Sequence, residues 1–167
     1  SYVETSITYD FGSHTEVVDC EEISSFIATD ENGKFAFDES GSFYLDTEKI
    51  KEYVKRLAEK YNTVNKPRTF RATRGGMVTV ETGTYGYKLD EKAEVQYLSE
   101  VIGNKKKLTR KPVFSQTAFT DVYSLNDDIG DTYIEVDLTN QMMYYYKNNR
   151  IQVETPVVTG NTSLGRG

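Results

Sequence analysis

The sequence predicts an α+β fold: a mixed module with two main helices packed on antiparallel strands, followed by a short β meander. Three observations carry this. Thr47–Tyr61 and the stretch after Asp90 carry apolar residues at helical spacing. Alternating apolar and polar runs, punctuated by Gly, Asn and Asp, flank both. After residues 124–130 only strand patterns remain. We therefore place a boundary there, with an α+β module over 1–124 and the start of an all-β meander over 131–167.

The chain has 167 residues, enough for one ordinary domain or one compact domain plus a piece of a second. A chain of about that size buries roughly 68–70% of its unfolded surface, so a core forms without staples. A composition of 37% hydrophobic and 28% charged residues with three Pro excludes a disordered or collagen-like chain. No apolar run approaches the roughly 18 residues of a membrane span, and no signal peptide opens the sequence. No membrane insertion by this segment is expected.

Ser1–Phe11 alternates through Val3, Thr5, Ile7, Tyr9 and Phe11 and reads as a strand. Asp19 then caps a short helix, with Glu22 as its reciprocal partner and Ile23, Phe26 and Ile27 as the apolar face. Asn32-Gly33 and Ser40-Gly41 are turn signals before short strands at Lys34–Phe37 and Ser42–Leu45. The strongest helix is Thr47–Tyr61, capped by Asp46. Ile50, Tyr53, Val54, Leu57, Ala58 and Tyr61 form a single stripe, and Lys51, Lys55, Glu59 and Lys60 take the wet side. Arg68–Thr73 and Met77–Thr82 alternate around Gly75-Gly76 as a hairpin, and Tyr85–Leu89 reads as a further short strand. Asp90 caps a second helix with Ala93, Tyr97, Leu98, Val101 and Ile102 inward, and Gly103 ends it. Lys105–Lys107 reads as a basic loop and Pro112–Phe119 as a strand. In the meander, Thr132–Leu138 alternates, Gln141–Lys147 is rich in Tyr and Met, Asn148-Asn149 is a two-residue turn, and Arg150–Thr159 returns. Three strands with a wet edge rarely stand alone, so they complete the first module or belong to a longer domain. No internal repeat is recognised.

Net charge is −6 but unevenly distributed. Residues 1–50 hold 12 acids against 2 bases, residues 51–112 hold 15 bases against 7 acids, and residues 113–167 hold 3 bases against 7 acids. Such segregation either recruits anions or marks segments that pack and neutralise one another.

The chemistry the residues support is limited. A Cys–His nucleophile pair requires both side chains within hydrogen-bond reach, and Cys20 and His14 are the sole candidates. No oxyanion-hole signature surrounds Cys20, which reads as a partly buried free thiol, and His14 as an exposed loop residue. Asn126, Asp127, Asp128 and Asp131 lack the Gly and terminal Glu of a calcium loop and read as a solvated acidic turn, so no metal is expected. Gly75-Gly76 is too short for a phosphate loop. An acidic chain, with a pI of about 4.9, argues against nucleic acid as a partner despite the basic run to Arg110. No complete active site and no cofactor site emerges from the residues.

Two stretches go beyond pattern. Ile50–Tyr61 (IKEYVKRLAEKY), Arg68–Phe70 with Gly75-Gly76, and Tyr85–Leu89 (YGYKL) with the Asp-capped helix after it resemble the peptidoglycan-binding domain that precedes the catalytic domain in many Gram-positive L,D-transpeptidases. Asp131–Val158 (DTYIEVDLTNQMMYYYKNNRIQVETPVV), followed by Thr159-Gly160, resembles the opening of that catalytic domain. The family's machinery is a His followed by a Ser/Thr-His-Gly-Cys segment, whose Cys forms a thioester with a donor stem peptide and passes the acyl group to an acceptor amine. No His or Cys follows Cys20, and Asp19 and Glu21 beside it do not match that motif. No catalytic residue carries over. The chain is then expected to be non-enzymatic, part of a parent acyltransferase whose remaining catalytic domain lies elsewhere.

The resemblance implies a substrate-binding or positioning region for peptidoglycan cross-linking, extracellular at the cell wall, behind a membrane anchor of the parent protein. Arg68, Arg71, Arg74, Lys88 and Lys105–Lys107 offer charge for anions, with Arg71 and Arg74 the leading candidates. Tyr85 and Tyr87 flank Gly86, and their rings would leave one face of a strand as a platform for a sugar or peptide edge. The alternatives are a structural spacer without a ligand and a module that docks other wall proteins through its Tyr-rich strands.

Overall fold

The computed structural model describes residues 5–102, 107–120 and 122–160. Its elements run β1 (Ser6–Asp10), β2 (Thr15–Val18), α1 (Cys20–Ser25), α2 (Thr47–Tyr61), β3 (Arg68–Ala72), β4 (Gly76–Val80), β5 (Lys88–Leu89), α3 (Glu91–Val101), β6 (Lys107–Arg110), β7 (Phe114–Gln116), β8 (Tyr133–Asp137), β9 (Met142–Lys147) and β10 (Arg150–Pro156). The architecture is the expected α+β. No helix among the described residues is long and apolar enough to cross a membrane.

The first sheet has the order β2-β1-β6. β1 pairs antiparallel with β2 and parallel with β6, so one parallel pair sits among otherwise antiparallel ladders. The sequence pattern assigns a strand to neither β2 nor β6. Lys107, expected in a basic loop, opens β6, while Gly103, Lys105 and Lys106 lie outside the described residues. Ile7, Tyr9 and Phe11 project from β1 and its exit into a core shared with Val54, Leu57 and Tyr61 of α2 and Leu98 of α3. The α2 stripe is buried as its periodicity requires. Phe11 stacks on Tyr61 with ring centroids 3.7 Å apart.

Asp19 caps α1 by accepting the Glu21 and Glu22 amides, but the expected return contact is absent: the Glu22 carboxylate takes the Arg56 guanidinium at 3.1 Å. On α3 the pattern understated the interior. Glu94 has no exposure and accepts from Tyr9 Oη (2.7 Å), the Val113 amide (2.6 Å) and Arg110 Nη2 (3.2 Å). A buried carboxylate requires such partners, and here it ties α3 to β1 and to the segment after β6.

Residues 27–45 form a small bridged ladder rather than the expected strands. Two turns in it share one design. Asp30 Oδ1 accepts the amides of Asn32 and Lys34, and Asp38 Oδ1 those of Ser40 and Ser42, with Gly33 and Gly41 at φ 74° and 79°. The eight-residue spacing of IATDENGK and FAFDESGS is thus a short internal repeat, correcting the reading that none exists.

β8, β9 and β10 form an antiparallel meander of order β10-β9-β8. Asn148 and Asn149 take φ of 52° and 58°, the left-handed geometry that a two-residue hairpin turn demands. The alternation in β8 places its polar side inward. Glu135 is 7% exposed and its cross-strand neighbour Tyr144 is fully buried, while Ile134 and Val136 face outward at 62% and 45%.

Candidate functional site

A cleft runs between the β3–β4 hairpin and β8, roofed by the segment around Phe119 and Ile129. Its floor is built by the 63–68 and 85–87 segments together with Asp128. Asn62 ends α2 and turns its amide oxygen onto the Leu89 amide (2.7 Å), which aligns β5 beside the helix end. The Thr63 amide then donates to Tyr87 O at 2.9 Å, while Thr63 Oγ1 accepts the Tyr87 amide at 2.8 Å and donates to Asp128 Oδ2.

Arg68, at the start of β3, is fully engaged. Its Nε and Nη2 donate to Asp128 Oδ1 and Oδ2 at 2.6 and 2.5 Å, Nη1 donates to Lys66 O, and Nη2 also donates to Thr63 O and Tyr85 O. Hydrogen bonding to Asp128 holds the guanidinium above its ordinary range. Asp128 is 4% exposed, so the expected solvated acidic turn is in this residue a buried anchor. Arg68 has no fork left for a ligand. Gly86 sits in the same knot at φ 123°, where an added Cβ would lie 2.5 Å from both Arg68 Nη2 and Thr63 Oγ1. Only glycine fits there.

The four candidate residues are placed differently. Tyr85 is 42% exposed and lines an apolar cavity of about 450 Å³ with Phe70, Val80, Phe119, Ile134 and Val136. Its hydroxyl donates to Asp128 O and accepts the Phe119 amide, both at 2.9 Å. Tyr87 is 4% exposed and packs against Phe114 and Tyr123, so the two rings do not share a face. The positive φ of Gly86 between them breaks strand alternation. Arg71 is exposed and lines an adjoining polar cavity of about 350 Å³. Arg74, beyond β3, donates to Glu154 at 3.3 Å across to β10.

A second knot fastens the hairpin to the meander. The Thr73 amide donates to both Glu135 oxygens (3.0 and 3.1 Å), and Thr73 Oγ1 donates to Glu135 Oε2 (2.7 Å) and lies 2.8 Å from Tyr146 Oη. Nothing in the linear pattern pointed to this role of Glu135. Cys20 and His14 are both exposed and no hydrogen bond joins them; His14 Nδ1 lies 2.9 Å from Ser13 Oγ. Among the described residues no three His, Cys, Asp or Glu side chains gather to hold a metal.

The basic middle segment is partly neutralised by the acidic ones. Lys60 pairs with Glu16, Arg56 with Glu22, Arg68 with Asp128 and Arg74 with Glu154. Arg71 enters no ion pair with a described residue.

A family model described as "Putative peptidoglycan binding domain" matches residues 2–110. Two solved structures are similar over 97% of this chain, each at 33% identity and a TM-score of 0.68: an Enterococcus faecium L,D-transpeptidase bearing a Cys-to-Ser substitution, and the Ldtfm–avibactam carbamoyl enzyme. The chain spans 60% and 59% of their respective lengths. No curated protein sequence matches.

Proposed function

The chain belongs to this family of peptidoglycan-binding domains, and from that premise we propose that it is the non-catalytic substrate-binding and positioning region of a cell-wall L,D-transpeptidase. Residues 1–124 form the binding module. Residues 131–167 are the opening strands of the catalytic domain. The working place is the cell wall, outside the membrane, and the partner is peptidoglycan.

The observation that carries this reading is the cleft itself. It lies where the family-matched hairpin meets β8, and it presents the exposed ring of Tyr85 and the guanidinium of Arg71, which pairs with no described residue. Arg74 stands at its hairpin end. Tyr87 acts from beneath, by packing the segment that carries Tyr85.

The test is sedimentation of the protein with purified peptidoglycan, where co-pelleting at low salt is expected. A bound fraction of zero would favour the second reading, a structural spacer. That reading draws on the two knots, Arg68–Asp128 and Thr73–Glu135–Tyr146, which fix the hairpin against the segments after it. The non-catalytic part has its own check. Incubation with a carbapenem should leave the intact mass unchanged, and a stoichiometric adduct on Cys20 would overturn it.

A further inference from the structure

We infer that residues 27–46 present a docking surface for a basic, arginine-rich segment of another protein, a contact separate from the wall reading above. The surface is a ring of three short segments. The Ala28 amide donates to Tyr44 O (2.8 Å), the Ala36 amide to Ala28 O (2.9 Å) and the Tyr44 amide to Ala36 O (3.1 Å), so the ring closes on itself. The eight-residue repeat therefore has a third copy, FYLDTEK, which runs into α2. Asp46 does there what Asp30 and Asp38 do in the turns before it: its Oδ1 accepts the amides of Glu48 and Lys49 at 3.0 and 3.4 Å. A closed, hydrogen-bonded ring holds its side chains in place before a partner arrives, which lowers the ordering cost of binding.

Two features of this surface specify its partner. The first is aromatic. The Phe43 ring centroid lies 5.7 Å from that of Phe35 and 4.6 Å from that of Phe37, and Phe35 and Phe37 are 49% and 54% exposed. Grouped, half-exposed rings of this kind mark an interaction site. The second is charge. Residues 27–46 hold five acids, Asp30, Glu31, Asp38, Glu39 and Asp46, against one base, Lys34. Glu31 and Glu39 are exposed, and neither side chain holds a hydrogen bond or ion pair with a described residue. The three Asp side chains spend only Oδ1 on the backbone and keep Oδ2 without a described partner. A groove of about 560 Å³ adjoins the ring where Lys49 Nζ donates to Ile27 O (2.9 Å), and it adds Glu21 and Glu52, exposed and likewise in no ion pair with a described residue.

Carboxylates beside ring faces fit guanidinium groups. The planar cation stacks on an aromatic ring and forks onto a carboxylate, and its aliphatic stem covers apolar surface. The same carboxylates repel nucleic acid, anionic lipid and acidic protein surfaces, and the net charge of −6 draws a cationic segment from a distance. Rings and carboxylates are spread along the whole ring of segments, so an extended chain meets more of them than a small cation does. The surface lies at the Asp46 end of α2, whereas the cleft is built beyond Asn62 at the other end. The fifteen residues of α2 set the two about 22 Å apart. A segment docked here leaves the cleft open.

Fluorescein-labelled nona-arginine and nona-lysine are the probes, titrated with the full chain and read by fluorescence anisotropy. The arginine peptide should bind about threefold or more tightly than the lysine peptide of equal charge, because guanidinium stacks on the rings. Glu31→Gln combined with Glu39→Gln, both outside the turn hydrogen bonds, should weaken the arginine peptide about three- to tenfold, within the range that two exposed ion pairs supply. Glu81→Gln, an exposed acid beyond β4, should have little effect. Phe37→Leu, which keeps apolar bulk and removes the ring, should narrow the gap between the two peptides. Equal affinity for both peptides, or a loss per charge as large from Glu81→Gln, would reduce the attraction to net charge and overturn the proposal. Reduced pelleting with peptidoglycan in the Glu31 and Glu39 double variant would overturn it by assigning the surface to the wall. A monomer–dimer equilibrium that the same variant abolishes would overturn it by assigning the surface to a second copy of the chain.

Discussion

Arg68 and Asp128, 60 residues apart in sequence, are clasped through two N–H···O bonds of 2.6 and 2.5 Å, with the Asp128 side chain only 4% exposed. The pair fastens the start of the hairpin to the loop that precedes the meander. Removing one member leaves the other charge desolvated and unpaired. Asp128→Ala should therefore cost about 3–5 kcal/mol in urea denaturation, while Glu52→Ala on the exposed side of α2 stays within about 0.5 kcal/mol. Equal costs would show that the pair contributes nothing special.

How much of this was legible in the sequence depends on the range of the forces involved. α2 could be read to the residue because its cap, stripe and length all lie within 16 consecutive positions, Asp46–Tyr61. The β3–β4 hairpin and the meander could be read for the same reason. β2 and β6 could not, because each is a four-residue strand whose pairing with β1 is decided by the tertiary fold. The direction of β8 was also hidden: its alternation is plain, but the buried side is the one bearing Glu135, chosen by contact with Thr73. At the site, Tyr85 and Arg71 were visible as residue types, yet the separation of Tyr87 from Tyr85 follows from the Gly86 backbone. A signal for the knot did exist, since Tyr-Gly-Tyr within a strand pattern marks close backbone approach. The repeat at 27–45 was equally open to view, as two Asp-Glu-x-Gly turns eight residues apart.

The helix register makes a direct prediction. Leu57 is 4% exposed in the middle of the α2 stripe, and Lys55 points to solvent. Leu57→Ala should cost about 2–5 kcal/mol by lost burial and a residual cavity, and Lys55→Ala no more than about 0.5 kcal/mol. Chemical denaturation of both variants checks it, and similar costs would refute the register.

Glu16 predicts a pH dependence. Partial burial pushes its carboxyl up, but hydrogen bonds from Lys60 and from Tyr61 Oη outweigh this and hold it below the ordinary range. The unfolded chain therefore takes up the proton more readily than the folded one. The stability Glu16 contributes is complete above the ordinary Glu value of about 4.3 and is lost as pH falls through the lower folded value. Glu16→Gln should lower stability at neutral pH and flatten the acid limb of a melting-temperature profile. An unchanged slope below that pH would exclude Glu16 as a contributor.

Ionic strength separates the two meanings of the basic middle segment. Residues 51–112 hold 15 bases against 7 acids, yet several of these bases are already matched, Lys60 by Glu16 and Arg56 by Glu22 among them. Arg71 is matched by no described residue, and it lines the cleft. If wall material is drawn in by such charges, the attraction is screened over about 8 Å at physiological salt, and the pelleted fraction should fall steeply between low and high ionic strength. Arg71→Ser should weaken binding more than Arg74→Ser, because Arg74 is partly neutralised by Glu154 at 3.3 Å. Tyr85→Ala should weaken binding with little salt dependence, since what it removes is ring area. Its hydroxyl also braces Asp128 O and the Phe119 amide, so Tyr85→Phe is the companion variant that separates contact from support. Binding that ignores salt would mean that the basic segment serves only to neutralise the acidic first 50 residues, and the cleft would then have to hold its ligand by apolar contact alone.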